Sequence, residues 1–174
     1  MANNDSFTHN FPVDTDALLS RAQRYCATAE RCTADVQQLL SRLGATCEQT
    51  DAIIDKLQQQ SYINDARYCR AFVHDKVAFQ AWGRMKIIMG LRAKHLPDEL
   101  INDAIGNIDT DTYNANIRKL ILSKRNQDRQ KQLRFMLQRG YTYDDLSSLN
   151  SQHSTLNSPL DPQGRGRFYF FLPQ

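Results

Sequence analysis

The stretch that decides the fold is residues 62–101, YINDARYCRAFVHDKVAFQAWGRMKIIMGLRAKHLPDELI. It carries start and stop signals for three short helices in succession. Asn64 suits the N-cap of the first helix, because its side chain can accept a hydrogen bond from an unpaired N–H of the first turn. Ile63 and Tyr68 occupy the two positions of a hydrophobic staple around that cap. Apolar side chains then recur at helical spacing, at Ala66, Cys69, Val73 and Val77.

The second and third helices follow a break at Ala81-Trp82-Gly83. The second is predicted over residues 84–95, with isoleucines on one side and basic residues around them. Pro97 has a fixed φ suited to the first helical position of the third helix, and Asp98 and Glu99 complement its dipole. Its apolar stripe consists of Leu100, Ile101, Ala104, Ile105 and Ile108. No catalytic motif occurs in this stretch.

Capping and turn residues predict helices on both sides of it. The predicted N-caps are Asp14 or Thr15, Thr33, a position near Glu48, Asp109 or Thr110, Asn126, and Thr142 in a capping box with Asp145. Nine helices of similar length, falling into threes, predict an all-α fold, an elongated array of three tandem three-helix repeats. The predicted repeats are residues 14–62, 63–108 and 109–149. The alternative is that the three predicted repeats look alike only because all helices share the same periodicity.

Two terminal segments fall outside this scheme. Residues 1–13 are polar and are predicted to be disordered. Residues 150–174 are rich in Ser, Pro and Gly and are predicted to be a flexible tail. The tail closes on the aromatic run Phe168–Leu172, which either folds back onto the body or binds a partner.

Composition favours a helical protein, and the cysteine pattern does not indicate a metal site. The chain has 174 residues, 41% of them hydrophobic and 24% charged. Neither a secretory signal nor an apolar run of about 20 residues is present, so a cytoplasmic protein without membrane contact is expected. Its cysteines, Cys26, Cys32, Cys47 and Cys69, contain no C-x-x-C pair. They are interpreted as buried small side chains, with a metal site, disulfides or reactive thiols as the alternatives. No metal or cofactor is expected.

Positive charge is concentrated near the end of the predicted body. Residues 118–139 contain eight basic residues and one acidic residue, Asp128, a net charge of +7 in a chain of net charge +3. The basic residues are Arg118, Lys119, Lys124, Arg125, Arg129, Lys131, Arg134 and Arg139. Such a window would attract phosphates or an acidic protein surface, and its contribution would fall with salt. An ordinary solvated helix face is the alternative.

A smaller basic group lies on the second helix of the central stretch, at Arg84, Lys86, Arg92 and Lys94. Phe79 and Trp82 precede it and could stack on nucleic-acid bases. Trp82 could equally be a packing anchor at a helix junction. The common phosphate-loop, dinucleotide, hydrolase and metalloprotease motifs are all missing, which predicts a protein that is not an enzyme.

Three short motifs in order resemble the RecX family of recombination regulators. Residues 62–68 with 71–73 and 83–87 are similar to that family's central repeat, and residues 30–33 with Leu39, Leu40, Leu43 and Gly44 to its first. Residues 135–141, FMLQRGY, are similar to its third. The resemblance covers about residues 15–149. Four positions depart from it: Ser61 and His95 stand where Gly is usual, Cys69 where Ala is usual, and Gln138 where Arg is frequent.

The resemblance implies a modular array of three-helix repeats that binds the RecA recombinase, as monomer and as filament on single-stranded DNA. It implies that the chain modulates RecA, mainly by inhibiting filament extension, ATPase activity and strand exchange, in homologous recombination, DNA repair and the SOS response. Single-stranded DNA would be contacted directly or through the filament, and a monomer is expected. Motif position assigns binding roles to Arg84, Lys86, Arg92, Lys94, Arg134 and Arg139. A stand-alone nucleic-acid-binding module and a helical scaffold for another protein remain the alternatives.

Overall fold

A computed structural model of the chain describes residues 14–147, and within that range the structure is helical and contains no strand. The prediction of an all-α fold is therefore confirmed. The helices are α1 (Thr15–Thr28), α2 (Thr33–Arg42), α3 (Cys47–Gln59), α4 (Asp65–Ala78), α5 (Arg84–Arg92), α6 (Asp98–Gly106), α7 (Thr110–Ser123) and α8 (Arg129–Gln138). A further helical segment begins at residue 143 and reaches the end of the described range. The predicted terminal segments, including the aromatic run Phe168–Leu172, lie outside the described residues.

The described residues form two compact units. Unit 1 comprises residues 14–73 and 90–106, and unit 2 comprises residues 74–89 and 107–147. In unit 1, helices α1, α2 and α3 pack against one another in all three pairings. Their apolar faces meet in one core, made of Leu18, Ala22, Val36, Leu40, Ile53, Ile54, Leu57 and Ile63. The predicted boundaries of the three repeats stay predictions.

Several helix starts agree with the local chemistry of the sequence. The Asn64 side chain accepts a hydrogen bond from the backbone N–H of Arg67 at 2.9 Å, as expected of an N-cap. Asp109 accepts from the N–H of Thr112 at 2.8 Å. Thr142 and Asp145 form the predicted reciprocal capping box, at 2.9 and 3.1 Å. These starts are set by residues within three positions of each other, so the sequence alone predicts them.

Two predicted caps were wrong. Cys32, and not Thr33, is the N-cap of α2, and it forms a capping box with Asp35. The N–H of Thr33 donates to the Asp65 carboxylate at 2.8 Å. Asp128, and not Asn126, caps α8, and its side chain accepts from the N–H of Gln130 at 3.1 Å. Asn126 lies inside the turn that follows α7.

Two helix ends also differ from the prediction. Helix α5 ends at Arg92, three residues before the predicted end at His95. Pro97 lies just before α6, and its carbonyl accepts from Ile101 at 3.2 Å.

The cysteines divide by burial. Cys32 and Cys69 are buried, as predicted, whereas Cys26 is half-buried and Cys47 is exposed. The prediction of burial was therefore wrong for Cys47, which is the first residue of α3 and faces solvent. All four are free thiols. Burial raises the pKa of the Cys32 thiol to about 11, which keeps it protonated and unreactive at neutral pH.

In unit 2, the start of α5 is held by backbone hydrogen bonds to the end of α8. The N–H of Gly83 donates to the Arg139 carbonyl at 2.8 Å, and the N–H of Met85 donates to the Gly140 carbonyl at 3.1 Å. The intervening N–H, that of Arg84, donates to the Tyr113 hydroxyl at 3.1 Å. A Cβ on Gly83 would lie 2.2 Å from the Gly140 backbone. Only glycine therefore permits this approach.

Three residues other than glycine adopt positive φ within the described range: Ser61 at 59°, Ala81 at 48° and His95 at 56°. Ser61 and His95 are the two positions at which the resembled family usually has glycine. An L-residue in this region costs about 1–2 kcal/mol, because its Cβ crowds the following carbonyl. The chain therefore stores conformational strain at the ends of α3 and α5.

We expect Ser61→Gly and His95→Gly each to raise the free energy of unfolding by about 0.5–1 kcal/mol. Relief of about 1–2 kcal/mol of strain is partly offset by about 0.5–1 kcal/mol of extra chain entropy in the unfolded state. Urea unfolding followed by circular dichroism measures the change. Ala52→Gly is the matched control, because Ala52 lies exposed within α3 and glycine there should destabilise by about 1 kcal/mol. Loss of stability in all three variants would contradict the inference that the backbone is strained at Ser61 and His95.

Candidate functional site

Arg84, predicted as a binding residue, lies in a hydrogen-bonded cluster of unit 2. Its Nη1 donates to Asp145 Oδ1 at 2.9 Å, and its guanidinium lies 4.1 Å from the centroid of the Tyr113 ring. The Tyr113 hydroxyl donates to Asp145 Oδ2 at 3.1 Å. Burial raises the pKa of Tyr113 above its ordinary value, so this hydroxyl remains a donor at neutral pH. The Arg84 side chain is only 34% exposed, and its role is structural, because it links α5 to Tyr113 and Asp145.

Lys94 forms the shortest ion pair of unit 1. Its Nζ lies 2.6 Å from Asp35 Oδ1, whose side chain is 10% exposed. Burial alone would raise the pKa of Asp35, but hydrogen bonds from Lys94 and Cys32 outweigh it and lower that pKa. The hydrogen bond to Asp35 raises the pKa of Lys94. The charge of Lys94 is thus committed to a largely buried partner within the chain.

Arg92 is paired in a different way. Its guanidinium makes two hydrogen bonds to the Asp98 carboxylate, at 2.9 and 3.2 Å. Both side chains are 61% exposed. An exposed pair contributes little to stability, because solvent screens it and competes for both groups. Arg92 can therefore exchange Asp98 for an external anion at small cost, which Lys94 cannot do.

Three further predicted cations of unit 2 lie against aromatic rings. Lys86 Nζ lies 4.4 Å from the centroid of the Trp82 ring, and Lys76 Nζ lies 4.8 Å from the same centroid. Lys124 and Arg139 lie 5.0 and 5.3 Å from the Phe135 ring centroid. Arg139 also donates to the Gln80 carbonyl at 2.7 Å. Trp82 is half-buried under its lysines, which favours the packing-anchor interpretation of this ring.

The remaining predicted cations lie exposed on α7, on α8 and in the turn between them. Five of them, Arg118, Lys119, Arg125, Lys131 and Arg134, are here named the α7–α8 cations. Among residues 14–147, none of the five has a carboxylate within ion-pair distance. Arg129 is also exposed and lies in the first turn of α8. The charges of the five α7–α8 cations are available to a partner.

Helix geometry explains why these side chains point outward. In α7, Tyr113 and Ile117 are buried, and Arg118 and Lys119 lie on the opposite side of the helix. In α8, Met136 is buried and Lys131 and Arg134 face away from it. The two helices are joined by the Gln132 side chain, which donates to the Ile121 carbonyl at 2.9 Å.

The internal partners of the cations escaped the sequence analysis. Asp35 is 59 residues from Lys94, and Asp145 is 61 residues from Arg84. Lys76 was not predicted as a site residue, although it lies six residues before Trp82. No spacing rule connects residues so far apart, so only the fold reveals these pairs.

The described residues contain no group of three or more His, Cys, Asp or Glu side chains placed to hold a metal ion. No helix between residues 14 and 147 combines the length and apolar character that crossing a bilayer requires.

We expect Lys94→Met to lower the free energy of unfolding at pH 7 by about 2 kcal/mol. Removing one partner of a buried pair costs about 3–5 kcal/mol, and solvent screening reduces that value here because Lys94 is 38% exposed. The lowered pKa of Asp35 means that its contribution is present at neutral pH and is lost as the pH falls through the folded-state pKa. The raised pKa of Lys94 means that its contribution is lost only as the pH rises through its folded-state value.

The difference between wild type and Lys94→Met should therefore be larger at pH 7 than at pH 4, where the unpaired carboxyl can take up a proton. Urea unfolding at both pH values measures this difference. Arg92→Met is the matched control and should change stability little at either pH, because its pair with Asp98 is solvent-exposed. Equal effects of the two variants would show that the Lys94 pair has no special role.

Comparison with known proteins bears on these observations. Residues 64–105 match the family model described as RecX, second three-helix domain. The chain is 30% identical over 150 residues to the regulatory protein RecX of Clostridium perfringens (strain 13 / Type A), covering 79% of this chain and 70% of that protein. It is 26% identical over 132 residues to the regulatory protein RecX of Prosthecochloris aestuarii, covering 74% and 87%.

Solved structures show the same fold. The crystal structure of a regulatory protein RecX superposes with a TM-score of 0.69 at 21% identity, covering 79% of this chain and 71% of that one. That of RecX from Lactobacillus salivarius superposes with a TM-score of 0.69 at 19% identity, covering 81% and 97%. Fold and sequence similarity thus agree along most of the chain. This protein belongs to the RecX family of regulatory proteins.

Proposed function

We propose that this protein binds the RecA recombinase, as monomer and as filament on single-stranded DNA, and modulates it without catalysing a reaction. Its main effect is to inhibit filament extension, ATPase activity and strand exchange. Membership of a family of regulatory proteins supports the regulatory role. The single observation that carries the binding mode is the set of exposed α7–α8 cations without internal carboxylate partners.

The physical reason is electrostatic complementarity. A filament on DNA carries one backbone phosphate per nucleotide, so a group of cations without internal partners is drawn to it over several ångströms. Cations already neutralised inside the chain contribute much less to that attraction. Arg84 and Lys94 therefore act in this proposal by positioning α5, whereas Arg92 and the α7–α8 cations supply the contacts. Three other cations, Lys86, Lys124 and Arg139, lie against aromatic rings, which do not neutralise their charge. Their contribution to binding is therefore intermediate between those of the two groups.

A second candidate function is favoured by the same charges, whose sequence window carries a net charge of +7. A stand-alone nucleic-acid-binding module would bind single strands tightly in the absence of RecA. Each phosphate neutralised on a single strand contributes about −0.7 to the slope of log affinity against log salt. Steep salt dependence without any effect on RecA would favour this second function.

The test adds the protein to RecA on single-stranded DNA and follows ATP turnover and strand exchange. We expect inhibition at stoichiometric levels. The variant carrying Arg118→Gln, Lys119→Gln, Lys131→Gln and Arg134→Gln should require about tenfold more protein for half-inhibition. Four exposed ion pairs worth about 0.4 kcal/mol each account for this factor.

The matched control carries four Gln substitutions at exposed cations of unit 1, namely Arg21, Arg24, Arg42 and Lys56. It loses the same net charge and should inhibit as the wild type does. Absence of any effect of the wild-type protein would contradict the proposed function. Equal weakening of both variants would show that total charge, and not the α7–α8 cations, determines binding.

A further inference from the structure

An exposed aromatic ring stands on a tightly held loop of unit 2. The loop comprises residues 79–83, between α4 and α5, and is here named the aromatic loop. Phe79 is 77% exposed, the largest fraction for a large hydrophobic side chain within residues 14–147. Exposing an aromatic ring forgoes the stabilisation that burial would bring. The fold must therefore either tolerate this ring or use it.

Hydrogen bonds hold the backbone of the aromatic loop at most of its positions. The N–H groups of Phe79 and Trp82 each donate to a carbonyl at the end of α4 at 3.0 Å. The Gln80 carbonyl accepts from Arg139 Nη1 at 2.7 Å, and the Ala81 carbonyl accepts from the Tyr141 hydroxyl at 3.0 Å. Ala81 is kept at a φ of 48°, in the left-handed region. The loop cannot easily turn Phe79 inward, so the ring is presented in a preorganised position.

Three basic side chains lie at the aromatic loop, two of them against its second ring, Trp82. Lys76 and Lys86 lie within 5 Å of the Trp82 ring centroid, at 4.8 and 4.4 Å. Arg139 reaches the loop through its bond to Gln80. The His74 ring lies edge-on to Phe79 with centroids 6.0 Å apart. Asp75 is the acidic residue of the group, and it lies 3.4 Å from His74 Nδ1.

We propose that the aromatic loop is a binding site for single-stranded nucleic acid, in which one unpaired base stacks on Phe79. Lys76, Lys86 and Arg139 attract the phosphates on either side of that base. Stacking platforms combined with cations are the general means by which proteins bind single strands without sequence preference. An apolar pocket of a protein partner fits less well, because closing it over Phe79 would remove water from the neighbouring charged side chains without supplying a counter-charge.

The site is separate from the α7–α8 cations and does not depend on the proposed function. It can be tested on the full chain alone, without RecA. The probe is a fluorescein-labelled single-stranded dT20 oligonucleotide, and the readout is fluorescence anisotropy at low salt. A blunt duplex of the same length, with every base paired, is the second probe.

We expect Phe79→Ala to weaken binding to the single strand roughly 5- to 150-fold, the range for losing one stacked base. Phe79→Leu keeps an apolar side chain but has no π face, and it should weaken binding similarly. Phe79→Trp should retain affinity. Affinity for the duplex should not change in any of these variants, because a paired base cannot stack on the ring.

Tyr143→Ala is the matched control, since Tyr143 is an aromatic side chain of unit 2 that is 63% exposed and lies outside the loop. It should bind as the wild type does. Since Phe79 is exposed, all variants should unfold at the wild-type temperature, which circular dichroism verifies. Wild-type affinity in Phe79→Ala or in Phe79→Leu would overturn the proposal, as would failure of the wild type to bind the single strand. Weakened binding of RecA by Phe79→Ala with unchanged oligonucleotide binding would assign the loop to a protein partner and also overturn it.

Discussion

Three consecutive backbone N–H groups at the start of α5 are paired by other parts of unit 2, and the architecture of that unit depends on this pairing. The first N–H groups of any helix lack an intrahelical partner. Here Gly83 precedes the helix and has no side chain to serve as a cap. The carbonyls of Arg139 and Gly140 at the end of α8, together with the Tyr113 hydroxyl, take that role. The negative end of one helix dipole thus meets the positive end of another.

This pairing constrains the side chains around it. Backbones that approach so closely leave no room for a Cβ at residue 83. The same contact fixes Arg139, whose guanidinium then bonds to the aromatic loop, and Tyr113, whose hydroxyl links Arg84 to Asp145. Arg84 is consequently part of the scaffold, since its charge is held by Asp145 within the unit. The five α7–α8 cations have no such internal carboxylate partner among the described residues, and they remain available for binding.

Local chemistry made much of the fold predictable. Periodic apolar positions identified the helices, and caps such as Asn64 could be read from residues three positions apart. Prediction failed where a distant residue decided the outcome. Nothing in the local sequence indicates that Asp65, 32 residues away, takes the N–H of Thr33. The glycines usual at positions 61 and 95 in the resembled family are replaced, yet both positions keep positive φ. Both positions are exposed and follow a helix end, where backbone N–H groups donate to carbonyls of the last turn, as Ser61 does to Gln58 and His95 to Arg92, each at 2.9 Å.

The sequence predicted which charged residues belong to the candidate site, but not how the fold pairs or buries each of them. Charge counting identified the window from Arg118 to Arg139, since net charge needs no fold. It could not separate Lys94, which is paired with a buried carboxylate, from Arg92, which is paired with an exposed one. Nor could it distinguish the two aromatics of the loop, of which Trp82 is half-buried and Phe79 is exposed. Both distinctions require the partner residues, which lie far away in sequence or depend on the loop conformation.

Amide hydrogen exchange at Gly83, Arg84 and Met85 tests the central claim most directly. If the end of α8 and the Tyr113 hydroxyl pair these groups, the three amides should exchange about as slowly as that of Ile87 within α5. The amide of Ala17, in the first turn of α1, provides the reference for an ordinary helix start. Exchange of all three amides as fast as Ala17, with Ile87 still protected, would contradict the account.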